Sequence, residues 1–150
     1  MSLPPLVLLV GPTGVGKTET ALALGERLGA EIVSADSRLL YRGMDIGTAK
    51  PTPEDLRRVR HHLVDVADPT EGWSLAQVRR AMLAALAEIT TRGRLPLVAG
   101  GTGQYIRALR EGWAPPPGDS PDGKTRARLQ EEARRQGGAV LHARLQTLDP

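Results

Sequence analysis

Gly11-Pro12-Thr13-Gly14-Val15-Gly16-Lys17-Thr18 is the stretch that decides the fold. It has the spacing G-x-x-x-x-G-K-[ST], which is typical of a phosphate-binding loop. Its glycines let the backbone curl until successive N–H groups point at one phosphate. Lys17 adds a positive charge, and the Thr18 hydroxyl is suited to ligate Mg²⁺. The stretch therefore predicts a diphosphate or triphosphate ligand without saying which one.

The segments on either side of this loop predict a strand before it and a helix after it. Residues 6–10 are continuously apolar, which is typical of a buried parallel strand. After the loop, Ala21, Leu22, Gly25 and Leu28 fall on one helical face, and Gly29 is placed to end the helix. Strand, loop and helix in this order indicate a P-loop protein.

Further strands and helices alternate along the chain. Short segments rich in apolar residues, at residues 31–35, 62–66 and 95–99, predict three more strands. A Thr52-Pro53 start, a capping box at Ser74-Leu75-Ala76-Gln77 and an apolar pattern over residues 104–111 predict helices between and after them. The alternation predicts a three-layer α/β, P-loop NTPase-like domain with a mostly parallel sheet.

Composition excludes several classes of protein. The 150 residues contain no cysteine, so there is no disulfide framework, thiolate metal site or cysteine nucleophile. No apolar run is long enough to span a membrane, and the first residues do not form a signal peptide. The net charge of +3 permits a nucleic-acid partner without requiring one. We expect a cytoplasmic monomer that does not associate with a membrane.

Two other stretches are expected to meet the phosphate loop. Asp36 follows the second predicted strand, at the end that faces the ligand in open α/β sheets. It is a candidate base or metal ligand, or else a simple turn residue. Gly100-Gly101-Thr102-Gly103 forms a second glycine-rich turn between a strand and a helix. The close meeting of these three stretches is the main structural expectation.

The long segment over residues 37–51 allows two interpretations. A loop at the ligand end of a sheet is often functional, and this one offers Arg38, Arg42 and Lys50 as cations and Tyr41 as a stacking face. The less favoured interpretation is a solvated connection.

A proline-rich break divides the chain. We predict a P-loop core over residues 1–113, a linker over residues 114–121 and the start of a helical insertion over residues 122–150. Two amphipathic helices are expected in the last part, at residues 123–136 and 139–148. The first is basic, which favours a solvated face and, less often, contact with a phosphate backbone.

Three stretches together resemble the tRNA dimethylallyltransferases (isopentenyl-tRNA transferases). They are the loop at residues 11–18, Gly100-Gly101-Thr102-Gly103-Gln104-Tyr105, and Asp36-Ser37-Arg38-Leu39-Leu40-Tyr41-Arg42-Gly43-Met44-Asp45-Ile46-Gly47-Thr48-Ala49-Lys50-Pro51. The last is the distinguishing one, because it is narrow to this family and to its adenylate-prenylating relatives. The resemblance covers essentially the whole chain, although members of the family are about twice as long. We therefore expect the N-terminal half of such an enzyme, with an incomplete core.

The resemblance implies a prenyl transfer. The donor would be dimethylallyl diphosphate, and the acceptor N6 of the adenosine 3′ of the anticodon in tRNA, with diphosphate as the leaving group. Lys17, Thr18 and Mg²⁺ would stabilise the departing diphosphate, and Asp36 would act as general base. Contacts with the tRNA anticodon stem-loop are implied for Asp36, Ser37, Arg38, Leu39, Thr102 and Arg126.

Two other functions fit the same loop. A small-molecule or nucleoside kinase would use ATP there, with Asp36 as its base, but residues 44–51 have no place in such a kinase. A non-enzymatic nucleotide-binding switch is also possible. It is disfavoured because the strand over residues 95–99 ends in glycines rather than in an Asp.

Overall fold

The structure is a computed structural model that describes residues 3–113 and 123–148. Contacts divide the chain into two compact units, Met1–Ala114 and Pro115–Pro150. The proline-rich linker predicted at residues 114–121 lies outside the described residues.

The first unit contains a sheet of four parallel strands. They are β1 (Val7–Val10), β2 (Ala30–Ser34), β3 (His61–His62) and β4 (Leu95–Gly100). Their spatial order is β1-β4-β2-β3, so β4 lies between the first two strands of the chain. Leu9 and Ser34 both pair with Ala99, so the carboxyl ends of β1, β2 and β4 lie at one edge. The prediction of a mostly parallel sheet is confirmed.

Helices cover both faces of this sheet. The helices of the first unit are α1 (Lys17–Leu28), α2 (Pro53–Arg58), α3 (Leu75–Thr91) and α4 (Gly103–Arg110). Neighbouring residues of a strand point to opposite faces, and Ile32 accordingly packs in the cluster that contains Leu22 of α1. Val33 packs in the other cluster, with Val78 of α3 and Leu109 of α4. The result is the predicted three-layer arrangement.

Local sequence signals start two of these helices as expected. Thr52 forms a capping box with Asp55 at the start of α2, and Ser74 forms one with Gln77 at the start of α3. Each box satisfies backbone N–H groups that a helix leaves without a partner. These short-range interactions explain why the starts of both helices could be predicted from the sequence.

The prediction of a fully buried first strand was wrong. Leu8 is 39% and Val10 is 54% exposed, because β1 is an edge strand of the sheet. Val7 and Leu9 pack in the α1-side cluster. Within the described residues, the face that carries Leu8 and Val10 is poorly covered.

The strand predicted over residues 62–66 was also wrong. β3 comprises only His61–His62, and the backbone then turns, with Leu63 at φ 61° and Asp65 at φ 55°. Positive φ is incompatible with an extended strand. The amides of Asp65 and Val66 donate instead to the carbonyl oxygens of Leu39 and Leu40.

The second unit contains two helices, α5 (Gly123–Gln136) and α6 (Gly138–Leu148), which contact each other. Arg144 of α6 forms an ion pair with Glu132 of α5 at 3.8 Å. Among the described residues, no helix of either unit has the length and apolar character needed to cross a membrane.

Candidate functional site

The phosphate loop connects β1 to α1 in the conformation that its glycines permit. Gly14 and Gly16 have φ of 86° and 83°, values that other residues rarely adopt. Lys17 is the first residue of α1, and its Nζ donates a hydrogen bond to the Pro12 carbonyl at 2.6 Å. This contact folds the lysine back over the loop, beside the amino end of α1, where backbone N–H groups favour an anion.

Asp36 lies two residues beyond β2, and its predicted role as a turn residue is confirmed. Its Oδ1 accepts a hydrogen bond from the Arg38 amide at 2.9 Å, so it does stabilise a turn. The same carboxylate lines a cavity with Lys17 and Thr18. Neither Asp36 nor Lys17 forms an ion pair with any other residue that the structure describes. Both charges are therefore available to a ligand.

The second glycine-rich turn holds the backbone on both sides of Asp36. The Thr102 amide donates to the Ala35 carbonyl at 3.1 Å, and the Thr102 hydroxyl accepts from the Ser37 amide at 3.1 Å. This turn also touches the phosphate loop, because a side chain on Gly101 would come within 3.3 Å of the Gly11 carbonyl oxygen. The three stretches that were expected to meet are brought together at the carboxyl edge of the sheet.

The cavity at this edge has a volume of about 210 Å³, and its lining residues are of two chemical kinds, which we term its polar part and its apolar part. Its polar part is formed by the loop, Thr18, Ser34 and Asp36. Its apolar part is lined by Ala21, Ile32, Leu39, Ala49, Pro51 and Ala99. Alternate residues of β2 and its continuation, Ile32, Ser34 and Asp36, lie about 7 Å apart, so the lining changes from apolar to charged toward the strand end.

Three polar residues of the cavity wall, Ser34, Thr48 and His61, were not singled out as site residues in the sequence analysis. Ser34 was detectable, because it shares the alternation of Ile32 and Asp36 along β2. Thr48 lies within the distinguishing stretch over residues 36–51, whereas His61 carried no such signal, since folding alone brings it to the wall. Burial lowers the pKa of His61, opposed by its hydrogen bond with the Val59 carbonyl. This lowered pKa favours the neutral form of the imidazole.

The oxygen donors in the polar part fit Mg²⁺. Thr18 supplies a hydroxyl, Ser34 a second hydroxyl and Asp36 a carboxylate, all lining the same cavity. Mg²⁺ prefers such hard oxygen ligands and commonly keeps water and substrate phosphate in its remaining positions. Among the described residues there is no cluster of three His, Asp or Glu side chains that could hold a metal by themselves. The donor set therefore suits an ion bound together with a phosphate ligand.

The cations expected in the loop over residues 37–51 behave differently from one another. Arg38 is exposed, whereas Arg42 donates to the Val66 carbonyl at 3.1 Å. Lys50 is 7% exposed in its side chain and is bound to two carboxylates, so its hypothetical role as a free cation was wrong. Tyr41 packs against the hydrophobic core, which argues against the stacking face considered for it.

The remaining predicted contact residues are distributed over both units. Ser37 is half-buried beside Thr102, and Leu39 lines the cavity. Arg126 is an exposed residue of α5, in the second unit. Their roles toward a ligand stay predictions.

A sequence model of IPP transferases matches residues 39–150. The chain belongs to the IPP transferase family. A tRNA dimethylallyltransferase of Thermomicrobium roseum is 58% identical over 146 residues, which are 97% of this chain and 44% of the relative. The homologue of Chloroflexus aurantiacus is 54% identical over 145 residues, 97% of this chain and 49% of the relative. The chain thus spans about half the length of the curated relatives that it matches.

Solved structures of IPP transferases have the same fold. The full-length tRNA isopentenylpyrophosphate transferase of Bacillus halodurans matches with a TM-score of 0.71 and 44% identity, over 97% of this chain and 48% of that chain. A eukaryotic dimethylallyltransferase acting on tRNA matches with a TM-score of 0.68 and 28% identity, over 72% of this chain and 27% of that chain. These similarities confirm both the family suggested by the sequence and its P-loop NTPase-like α/β fold.

Proposed function

We propose that this chain supplies the phosphate loop and catalytic carboxylate of a tRNA dimethylallyltransferase. The reaction transfers a dimethylallyl group from dimethylallyl diphosphate to N6 of the adenosine 3′ of the anticodon, and diphosphate leaves. The observation that carries the proposal is a single cavity that joins a phosphate loop, an unpaired carboxylate and an apolar wall. A prenyl diphosphate has this combination of a charged head and a hydrocarbon tail.

The phosphate loop and Lys17 would bind the diphosphate. The amino end of α1 and the ammonium group of Lys17 both favour negative charge. Charge on the diphosphate grows as its bond to the prenyl carbon breaks, so these groups would stabilise the transition state more than the ground state. Thr18 is the residue that would hold Mg²⁺, which when bound supplies further stabilisation of that charge.

Asp36 would accept the proton of the attacking amine. The N6 lone pair is delocalised into the adenine ring, so the amine is a poor nucleophile. As the new bond between N6 and the prenyl carbon forms and the carbon–oxygen bond to diphosphate breaks, one N6 proton passes to the Asp36 carboxylate. Its turn and the hydrogen bonds of Thr102 with the flanking backbone hold this carboxylate in place, which general-base catalysis requires.

The tRNA contacts extend the proposal to both units. Ser37, Arg38, Leu39 and Thr102 surround Asp36 in sequence or in space, so an adenosine that reaches this carboxylate would meet them. Such an adenosine must leave its stack for chemistry at N6. The exposed Arg126 of α5 would contact the RNA backbone. The names of the relatives support tRNA as the acceptor, and we propose a cytoplasmic monomer.

The proposal is tested by calorimetric binding of dimethylallyl diphosphate and of ATP to this chain in the presence of Mg²⁺. We expect the prenyl diphosphate to bind more tightly than ATP, and Lys17→Ala to weaken its binding about 100-fold. Lys124→Ala on α5 is the matched control and should leave the affinity unchanged. Preference for ATP would instead indicate a kinase and would overturn the proposal.

A transfer assay then tests the role of Asp36. In a protein with the full length of the relatives, Asp36→Asn should keep the affinity for dimethylallyl diphosphate. It should lower the rate of transfer to an anticodon stem-loop RNA about 100-fold or more, the usual contribution of a general base. An unchanged rate would remove Asp36 from the mechanism.

A further inference from the structure

The segment over residues 41–51, which we term the strap, forms one side of the cavity. It begins with hydrogen bonding to Ala67, whose carbonyl accepts from the Arg42 amide at 2.9 Å. It then projects outward as far as Ile46, which is 98% exposed, and returns toward α2. On its return, Thr48, Ala49 and Pro51 line the cavity. The apolar part of the cavity therefore depends on the position of a segment that is otherwise exposed.

Lys50 fastens the returning part of the strap. Its Nζ donates to the Tyr41 carbonyl at 2.9 Å, to Asp45 Oδ1 at 2.6 Å and to Asp65 Oδ1 at 2.5 Å. An ammonium group has three N–H donors and no acceptor, so all of its hydrogen-bonding capacity is used. Burial tends to lower the pKa of Lys50, but its bonds with Asp45 and Asp65 outweigh that effect and raise it. The side chain stays charged at neutral pH.

The bonds of Lys50 lie next to strained backbone. Ala49 precedes it with φ 52°, and its partner Asp65 has φ 55°. Residues other than glycine adopt such values at a cost in conformational energy, so these conformations persist only where other interactions impose them. Ala49 is itself a residue of the cavity wall. The strain is thus located where the strap meets the ligand space.

We propose that Lys50 is a positioning residue, which sets the hydrocarbon wall of the cavity by holding Ala49 and its neighbours against it. Lysine near a phosphate loop suggests phosphate binding, but the three bonds of Lys50 leave it no donor for a phosphate, and it does not line the cavity. Its effect on a ligand should therefore be confined to the hydrocarbon part. This inference rests on the proposed function, because it assigns the wall to a prenyl group.

Calorimetry with two ligands separates the wall from the phosphate loop. Inorganic pyrophosphate reports on the loop alone, whereas dimethylallyl diphosphate reports on the loop and the wall together. In Lys50→Met we expect pyrophosphate affinity within about twofold of the original and dimethylallyl diphosphate affinity about tenfold weaker. Lys50→Arg keeps the charge but not the geometry of three donors, and should lose less than Lys50→Met. Ile46→Ala changes the exposed tip of the same strap and should change neither affinity.

Hydrogen exchange measures, without a ligand, how far Lys50 stabilises the position of the strap. Amides of residues 43–49 should exchange at least about tenfold faster in Lys50→Met, while those of β4 are unchanged, since local opening is governed by local interactions. Asp45→Asn, which removes only the charge of an exposed partner of Lys50, is the milder variant if Lys50→Met does not fold. Like Lys50→Met, it should weaken the binding of dimethylallyl diphosphate and speed the exchange of the strap amides, each by a smaller factor.

The outcomes distinguish this inference from the proposed function. If the unsubstituted chain binds dimethylallyl diphosphate no better than pyrophosphate, the proposed function fails, and hydrogen exchange alone decides the role of Lys50. If strap exchange is unchanged in Lys50→Met, or if both ligand affinities fall equally, Lys50 does not position the wall and the inference is overturned.

Discussion

The two edges of the sheet use charged residues in opposite ways. At the carboxyl edge, the side chains of Lys17 and Asp36 bond, among the described residues, only to nearby backbone groups. Toward the amino edge, Glu31 is 10% exposed in its side chain and accepts from Arg92 Nη2 at 2.6 Å and from His62 Nε2 at 2.7 Å. Arg92 also pairs with Glu88. We term Glu31, His62, Arg92 and Glu88 the amino-edge network.

This difference separates charges that hold the fold from charges that can bind a ligand. A buried carboxylate is stable only when it is paired, and the network satisfies that requirement inside the protein. At the carboxyl edge the backbone itself provides the structure, through close contacts at glycines and through the bonds of Thr102. The charges there are left to interact with a ligand. Three substitutions test this division, and they follow in decreasing order of their expected effect on stability.

The largest effect is expected where backbone contact forms the carboxyl edge. A Cβ added at Gly100 would lie 2.3 Å from the Ala35 carbonyl oxygen, which is backbone and cannot turn aside. Gly100→Ala should therefore push β4 from β2 and lower the free energy of unfolding by about 3 kcal/mol, at the upper end of the usual cost of overpacking. Urea denaturation measures the change.

Gly103→Ala is the matched control for that prediction. Nothing lies within 4 Å of a Cβ at Gly103, and alanine is a better helix former than glycine. This variant should be as stable as the original protein or slightly more stable. Equal stability of both variants would show that close backbone contact does not form this edge.

The second prediction removes one charge from each edge. Glu31→Gln keeps an acceptor oxygen but loses the charge that faces Arg92, His62 and, at 3.7 Å, Arg60. We expect it to lower the free energy of unfolding by about 1–3 kcal/mol, typical of hydrogen bonds to charged groups. Asp36→Asn keeps the acceptor for the Arg38 amide and should change stability by less than about 0.5 kcal/mol. Similar losses in both variants would contradict the division between the edges.

The pH dependence of stability tests the same difference between the two edges of the sheet. Burial tends to raise the pKa of Glu31, but hydrogen bonds from Arg92 and His62 outweigh it, so the pKa lies below its ordinary value. A lowered pKa contributes stability above the ordinary value of about 4.3, and this contribution is lost as pH falls through the folded-state pKa. The stability difference between the original protein and Glu31→Gln should therefore be full at pH 7 and shrink below about pH 4. A difference that stays constant into acid would exclude the charge as its source.

The sequence was sufficient for features that depend on neighbours along the chain. The phosphate loop, the caps at Thr52 and Ser74 and the end of α1 each arise within a few residues. The parallel sheet followed from the alternation of apolar runs and helical patterns. The meeting of three stretches at one edge also followed, because parallel strands place their carboxyl ends together.

The errors arose where distant residues decide the conformation. Residues 63–66 have the composition of a strand, but bonds with the backbone of Leu39 and Leu40 impose a turn on them. From the sequence alone Lys50 resembles a ligand-binding cation, because the sequence does not show that Asp65 lies beside it. The pairing of Glu31 with Arg92 could not be predicted either, since Arg92 is 61 residues away in the chain. Local patterns contain no information on such pairings.

The smallest predicted effect concerns the bond that joins the second glycine-rich turn to the backbone beside Asp36. Thr102→Val replaces the hydroxyl that accepts from the Ser37 amide with a methyl group of similar size. A part-buried amide that loses its acceptor costs about 1 kcal/mol, and the Ser37 amide should exchange with solvent faster. Thr102→Ser keeps the hydroxyl and should restore both properties.

This last comparison tests whether the carboxyl edge is fixed by specific bonds or by packing alone. If packing were enough, valine would hold the turn as well as threonine, and the exchange of Ser37 would not change. If the hydroxyl is required, only threonine and serine will protect the Ser37 amide, even though the overall stability of the three proteins differs by little. The second result would mean that Asp36 keeps its position because its neighbours on both sides, Ala35 and Ser37, are bonded to one residue. An unpaired carboxylate can then be held in place for a ligand without an ion pair that would neutralise it.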